Sequence, residues 1–361
     1  MPEISVIINT ARSGYSMLGL PGVHHFKYTI DALKRQSYKN FELIISDYIW
    51  DKRQFDWDSI KRNFFPIYHV PITHSIFKKH GYVAISGTKN NGIMYAEGNI
   101  LIFLDDCCTF ESNFIARIIE AIKLKKIFPN AWHKKEIGSE IKYDGNGNPV
   151  IDSRYVLFDH YQKDIIIDNF HMYGYSSMTL EAALKVNGFD ELMDGSRQLE
   201  DIDMGERLKR AGFHISFHKD IFVVEQEHTD LAPEPDARGE NPWSDNKKED
   251  PVKFNNNLKC NGPFHFIKNE RKGNDSYLAN HRPLNAVELE KVRNCFLLSK
   301  RDDGSPLCRA SNGGCNWIDK HMKDSMAEFL IVQNPPVFSL EEERKKRLAE
   351  KRKYLVKEVT R

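Results

Sequence analysis

The chain has no apolar run approaching the roughly 18 residues that span a bilayer, no excess of charge of either sign, no C-x-x-C pair and no internal repeat. Each absence narrows the range of functions. Without a spanning run, no integral membrane segment is expected. Lys plus Arg nearly cancels Asp plus Glu, 52 against 51, so the basic field that dominates nucleic-acid binding is missing and nucleic acid is not indicated as a partner. The opening residues, MPEISVIINT, start a strand at once and carry neither the basic n-region nor the apolar h-region of a secretory signal. The expected location is therefore cytoplasmic. Of the six cysteines, Cys107 and Cys108 are adjacent, while Cys260, Cys295, Cys308 and Cys315 follow at wide spacing. The last four are candidates for zinc or disulfides; free thiols in a reducing compartment are the simpler reading.

The chain does have enough apolar matter for a sizeable core, 40% hydrophobic over 361 residues, in one large domain or two. Strand-like and helix-like segments alternate, which is the signature of an α/β fold with a mostly parallel sheet and crossover helices. ISVIIN, FELIISD and the weaker FPIYHVPI read as strands, and Phe26, Ile30 and Leu33 fall at helical spacing. HGYVAISGTKNNGIMYAEG is small and mixed in character. SNFIARIIEAIKLKK reads as an amphipathic helix with Ser112 as N-cap. The first 125 residues or so thus make one βαβ-type unit.

Further on, IKYDGNGNPVID has the Asp-Gly and Asn-Gly pairs of a hairpin. YGYSSMTL reads as a strand, EAALKVNGF as a helix stopped at Gly188, and LEDIDMGERLKRAG as a helix stopped at Gly212 with acids first and bases last. HISFH and IFVVEQEH supply short strands. From about Thr229 to Leu284 the chain is rich in Pro, Asn, Gly and charge and reads as a long loop region or lid. SLEEERKKRLAEKRKYLVKEV closes the chain as a charged helix with Leu340, Leu348, Leu355 and Val359 as sparse apolar positions. The basic run Lys351 to Lys353 is where a peripheral membrane contact would be made.

The segment richest in chemistry is ILIFLDDCCTF. Five apolar residues describe a strand covered on both faces, and two carboxylates, Asp105 and Asp106, stand at its tip. In open α/β sheets the binding crevice lies outside the carboxyl ends of the strands, where a ligand or cation would offset the repulsion of two neighbouring acids. The plainer alternative is a loop that solvates both.

Four segments in order, ISVIINTAR, LKRQSYKNFELIISD, GTKNNGIMYAEGNILIFLDDC and NGFDELMDGSRQLEDIDMGERLKRAG, resemble the successive motifs of family 2 glycosyltransferases, inverting enzymes of the GT-A fold that use nucleotide-diphosphate sugars. The resemblance covers residues 3 to 228. It implies a GT-A Rossmann-like, mostly parallel sheet flanked by helices in residues 1–228; the remainder lies outside the resemblance and reads from its composition as an irregular C-terminal extension, a loop-rich acceptor region, lid or small subdomain at 229–338 and then a charged helix at 339–361. It implies a metal-dependent inverting transfer of sugar from a UDP-sugar donor to the hydroxyl of a glycan or other acceptor. A sugar's diphosphate departs with negative charge, and Mn2+ or Mg2+ held by carboxylates neutralises it.

By the same resemblance, Asp106 is a metal ligand and Asp105 faces the ribose or a metal-bound water. Cys107 stands where the second acid of a spaced Asp-x-Asp belongs, and a thiol is a poor ligand for Mg2+. Asp47 matches the acid that accepts the N3–H of uracil, a task suited to an acceptor-only carboxylate; its plainer role is capping the next turn. Thr10 and Arg12 match nucleotide contacts, and Lys89 and Asn90 match a pair beside the diphosphate and base. Asp201 is implied as the base and Glu200 as its acceptor-binding neighbour, although acids at a helix start are also favoured by the macrodipole, and Asp203 would serve that purpose equally. His228 matches a histidine that completes the metal site, with His218 as competitor. Gly174 and Tyr175 would line the donor-sugar or acceptor pocket. Trp243, Phe254, Phe264, Phe266 and Tyr277 could stack on sugar rings or form a small core.

Two alternatives differ in class. A nucleotidyltransferase would share the sheet and metal, but NTARSGYSMLGLPG lacks a convincing Gly-rich phosphate signature. A non-catalytic UDP- or glycan-binding protein is the other, motivated by Cys107.

Overall fold

Four of the apolar runs form the parallel centre of one sheet in the computed structural model. They are β1 (Ile4–Thr10), β2 (Phe41–Asp47), β3 (Ile67–Pro71) and β4 (Ile100–Asp105), in the order β3-β2-β1-β4. The structure describes residues 2–10, 25–48, 50, 65–72, 85–123, 126–135, 141–151, 155–157, 172, 175–191, 200–225, 277–282, 285–287 and 337–357. Because these strands are buried on both faces, their sequences run apolar without alternation. One face, with Val6, Ile8, Leu43, Ile45, Ile67, Ile102 and Leu104, packs on α1 (His25–Arg35) and α3 (Phe114–Ile122). The other, with Ile7, Ile44, Val70, Leu101 and Phe103, packs on α2 (Ile85–Tyr95), α4 (Leu180–Lys185), α5 (Glu200–Arg210) and the first residue of α6 (Leu340–Glu350).

Beyond β4 the sheet continues through β8 (Ser176–Thr179), antiparallel to it, then β6 (Lys126–Lys135), β10 (His218–Glu225) and the short β5 (Cys108–Thr109). β7 (Tyr155–Leu157) and β9 (His214–Ile215) pair with β6 off this path. The α/β class and mostly parallel sheet expected from sequence are thus present. Among the described residues no helix is long and apolar enough to cross a membrane.

The stretch that looked merely small and mixed is α2. It shows no helical periodicity because it has no wet face: every residue from Ser86 to Tyr95 is buried, and amphipathic spacing marks only helices that are half exposed. Its small residues let it press on the sheet. A Cβ on Gly92 would lie 2.3 Å from Ile7 Cγ2, so Gly92→Ala is expected to cost about 1–3 kcal/mol by overpacking. Gly145, where an added Cβ meets nothing within 4 Å, provides the control: Gly145→Ala should change stability by less than about 0.5 kcal/mol. Urea unfolding of both variants checks the difference.

Two helix boundaries differ from expectation. The N-cap of α3 is Asn113, which makes no side-chain cap bond, and the helix ends at Ile122, before the lysine-rich run. Ser112 instead donates its N–H to Asn148 Oδ1 at 2.9 Å, so it belongs to the packing of the 141–150 turn. That turn forms as expected: Asp144 Oδ1 accepts the N–H groups of Asn146 and Asn148, and Tyr143 bridges Pro149.

The C-terminal segment is helix for only part of its length. α6, capped by Ser339 accepting the N–H of Glu342, gives way to a 3-10 turn at Lys351–Tyr354 and then to β11 (Leu355–Lys357), which adds an antiparallel strand beside β3. Leu355 is therefore a strand residue. Arg344 of α6 donates from Nε and an Nη to the carbonyl of Ala96 at 3.0 and 2.7 Å. Lys351 is not a surface charge: it is 2% exposed, pairs with Glu42 of β2 and with Glu97 at 3.3 Å, and lies over the Tyr68 ring. A membrane contact through Lys351 is excluded by that burial.

Candidate active site

β1 has β2 on one side and β4 on the other, so the strand order reverses at β1 and a crevice opens at the carboxyl ends of β1 and β4. The register decides which side chains share a face there. Thr10 is opposite Asp47, and Asn9 is opposite Asp105. One residue further, Asp106 comes beside Thr10, whose Oγ1 donates to Asp106 Oδ2 at 2.7 Å. Because the side-chain period of a strand is two, Thr10, Asp47 and Asp106 fall on the α1 face, while Asp105 falls on the α2 face with Asn9 and Ser46. The adjacent acids thus diverge. Asp106 is buried and Asp105 half-buried.

Asp47 is buried completely, and its Oδ2 lies 2.9 Å from His69 Nε2 of β3. His69 escaped the sequence analysis because its position beside Asp47 depends on the register between β2 and β3, which pairs Ile45 with His69 and Asp47 with Pro71.

The opposite face is organised by α2. Ser46 Oγ donates to the carbonyl of Thr88 at 2.8 Å and accepts from Asn91 Nδ2 at 3.0 Å, fixing the start of α2 under the crevice. The next residue, Lys89, is 1% exposed; it reaches Glu200 Oε1 of α5 at 3.3 Å and lies over the Phe189 ring. Asn90 donates to the carbonyl of Phe189 and to Glu191 Oε1, both at 2.9 Å, and accepts the N–H of Phe189 at 2.7 Å. These bonds hold the Asn187–Gly188 turn after α4, where both residues have positive φ and a Cβ on Gly188 would come 2.3 Å from Asn90 Oδ1. The structure thus engages Lys89 and Asn90 with α5 and the 187–191 turn.

α5 carries three acids in its first turn and three bases in its last, which suits the macrodipole. The acids have different surroundings. Asp203 accepts from Arg207 Nε at 2.7 Å, and Arg207 also donates to the carbonyls of Val186 and Gly188, so this pair fastens α5 to the end of α4. Glu200 is the partner of Lys89. Burial pushes its carboxyl above the usual carboxylate range; Lys89 opposes the shift and Asp201 adds to it. Asp201 is buried, and its carbonyl accepts the N–H of Met172 at 3.1 Å.

Cys107 and Cys108 are buried free thiols. Cys107 Sγ faces Glu225 Oε1 at 3.9 Å, and Cys108 Sγ faces the carbonyl of Asp105 at 3.3 Å. Burial holds the Cys108 thiol well above its ordinary range, with the Thr29 hydrogen bond opposing and Asp105, Glu225 and Asp106 adding. Glu225 pairs in register with Cys108 at the end of β10; this buried acid beside the acidic tip was also missed, since only the β10–β5 pairing brings it there. Tyr175 is buried as well. Its phenol is raised first by burial and then by Glu225, Cys107, Asp105 and Cys108.

Arg12, Gly174, His228, Trp243, Phe254, Phe264 and Phe266, like Cys260, Cys295, Cys308 and Cys315, lie outside the described residues. His218 begins β10, and Tyr277 packs on the second core cluster. Among the described residues no group of three or more His, Cys, Asp and Glu side chains could hold a metal ion. A Mg2+ or Mn2+ that binds mainly to phosphate needs only one or two protein carboxylates. Asp106 is a hard-oxygen donor oriented by Thr10, so it fits such an ion as a single protein carboxylate, while Asp105 diverges to the other face.

No family model matches the chain, and no curated protein matches it. Solved structures with a similar arrangement include S. aureus TarS 1-349 in complex with UDP, at 14% identity over 64% of this chain and 61% of that one, with a TM-score of 0.44. The same protein in complex with UDP-GlcNAc gives 13%, 64%, 62% and 0.44. The mannosyltransferase PcManGT from Pyrobaculum calidifontis, in complex with GDP-Man and Mn2+, gives 11%, 62%, 56% and 0.39. The chain spans less than two thirds of each of these. Superpositions this loose transfer no residue role.

Proposed function

We propose that the chain is an inverting glycosyltransferase that moves a sugar from a UDP-sugar to the hydroxyl of a glycan or other acceptor. The reading is supported most by the register of β1, β2 and β4, which gathers Thr10, Asp47 and Asp106 on one face at the switch point. The four ordered motifs agree with it.

Asp47 accepts the ring N–H of the uracil, and Asp105 faces the ribose. Asp106, held by Thr10, would ligate Mn2+ or Mg2+, with His228 as the further ligand that the resemblance implies; the ion, when bound, neutralises the departing diphosphate. Asp201 takes the proton from the acceptor hydroxyl as that oxygen forms its bond to the sugar C1, on the face opposite the breaking C1–O bond, and UDP leaves. Glu200, placed by Lys89, binds the acceptor beside it. The bonds along α2 support this arrangement: Ser46, next to Asp47, donates to the Thr88 carbonyl, and Lys89 reaches Glu200.

The test is a product-resolved assay with a panel of UDP-hexoses, Mn2+ and mixed glycan acceptors. Release of UDP with glycosylated acceptor is expected. Release of pyrophosphate would make the chain a nucleotidyltransferase, and UDP binding without turnover would make it a binding protein.

A further inference from the structure

We propose that His69 is a positioning residue that sets the base specificity of the nucleotide site by holding Asp47; the inference rests on the sugar-nucleotide reading above and deepens it. β2 and β3 are parallel, and their register places His69 and Asp47 on one face, offset by two residues. The imidazole Nε2 and the carboxylate Oδ2 are 2.9 Å apart, with His69 7% and Asp47 0% exposed.

A buried carboxylate needs a donor, and an ionised one can only accept. With a proton on Nε2, the imidazole is such a donor to Asp47 Oδ2. The backbone of His69 is itself braced. Trp50 donates from Nε1 to the carbonyl of His69 at 3.1 Å, and the two rings lie 6.0 Å apart.

The consequence is for recognition. A carboxylate held as an acceptor in one rotamer reads a base by a ring N–H. Uracil offers that N–H at N3, whereas cytosine presents a lone pair there and would set acceptor against acceptor. Buried polar groups left unmatched are what give such sites large discrimination. The His69 bond keeps the buried Asp47 carboxylate in one rotamer. Asp47 is thus the group that touches the base, and His69 acts through it.

The experiment measures binding of UDP, CDP and GDP by titration calorimetry to the full-length protein, with His69→Ala, His69→Gln and Asp47→Asn, each checked for folding by thermal denaturation. The wild type should prefer UDP to CDP. His69→Ala should lose about tenfold in UDP affinity, and its UDP-to-CDP ratio should fall by a similar factor. His69→Gln, which keeps an N–H donor, should recover most of the ratio. Uniform weakening of all three nucleotides is what a merely structural role gives, and it would overturn the inference while leaving the sugar-nucleotide reading intact. A wild type that binds no uridine nucleotide would overturn that reading and the inference with it. The 15N shifts of His69 give a readout independent of ligand: an Nε2–H tautomer is expected, and an Nδ1–H tautomer contradicts the proposal.

Discussion

Asp201→Asn is expected to lower kcat for UDP release in the presence of acceptor by about 10³-fold, the usual contribution of a positioned base, with UDP affinity almost unchanged. Asparagine keeps the size and the start of α5 but cannot take a proton. The neighbouring acids have cationic partners: Asp203 pairs with Arg207 and Glu200 with Lys89. A fall of less than tenfold would move the base elsewhere. The pH dependence supplies a second arm. Burial raises the Glu200 carboxyl and Lys89 lowers it, so Lys89→Met removes the opposing cation and lets the carboxyl rise further. The acid limb of kcat/KM, where Glu200 loses its charge, should therefore move to higher pH in that variant. An unmoved limb would separate Glu200 from the reacting proton.

Lys351→Ala is expected to destabilise the protein by about 3–5 kcal/mol, the cost of leaving a buried carboxylate without its cation. Glu42 sits inside the sheet and accepts Ser5 Oγ at 2.6 Å and the N–H of Glu97 at 2.8 Å; Lys351 supplies its cation from the far end of the chain. The same lysine anchors the 3-10 turn from which β11 joins β3. The loss should therefore appear as earlier unfolding in urea together with release of residues 355–357, visible as faster amide exchange. Lys353, 68% exposed beside Glu350, is the control: Lys353→Ala should stay within about 0.5 kcal/mol. Equal effects of the two substitutions would show that the buried pair contributes nothing special.

The strands of the sheet centre were legible because burial on both faces writes itself as a continuous apolar run, as in ISVIIN and ILIFLD. α2 was not, since complete burial erases the periodicity by which a helix is recognised, and its meaning lies in the fit of Gly92 against Ile7. β11 escaped for a different reason: three residues following a charged helix carry no local strand signal, and only the β3 edge gives them a partner. In the site, Asp47, Asp106 and Glu200 could be singled out by motif. Their partners His69, Thr10 and Lys89 are 22, 96 and 111 residues away in sequence, joined by register and helix packing that local pattern does not encode.

The most direct measurement is a crystal structure of the complex with UDP and Mn2+, with anomalous scattering recorded at the manganese edge. The account predicts an anomalous peak between the Asp106 carboxylate and the diphosphate, at the carboxyl ends of β1 and β4, with the Asp201 side chain turned toward the same cleft. Manganese and nucleotide seated away from both Asp105 and Asp106 would contradict it.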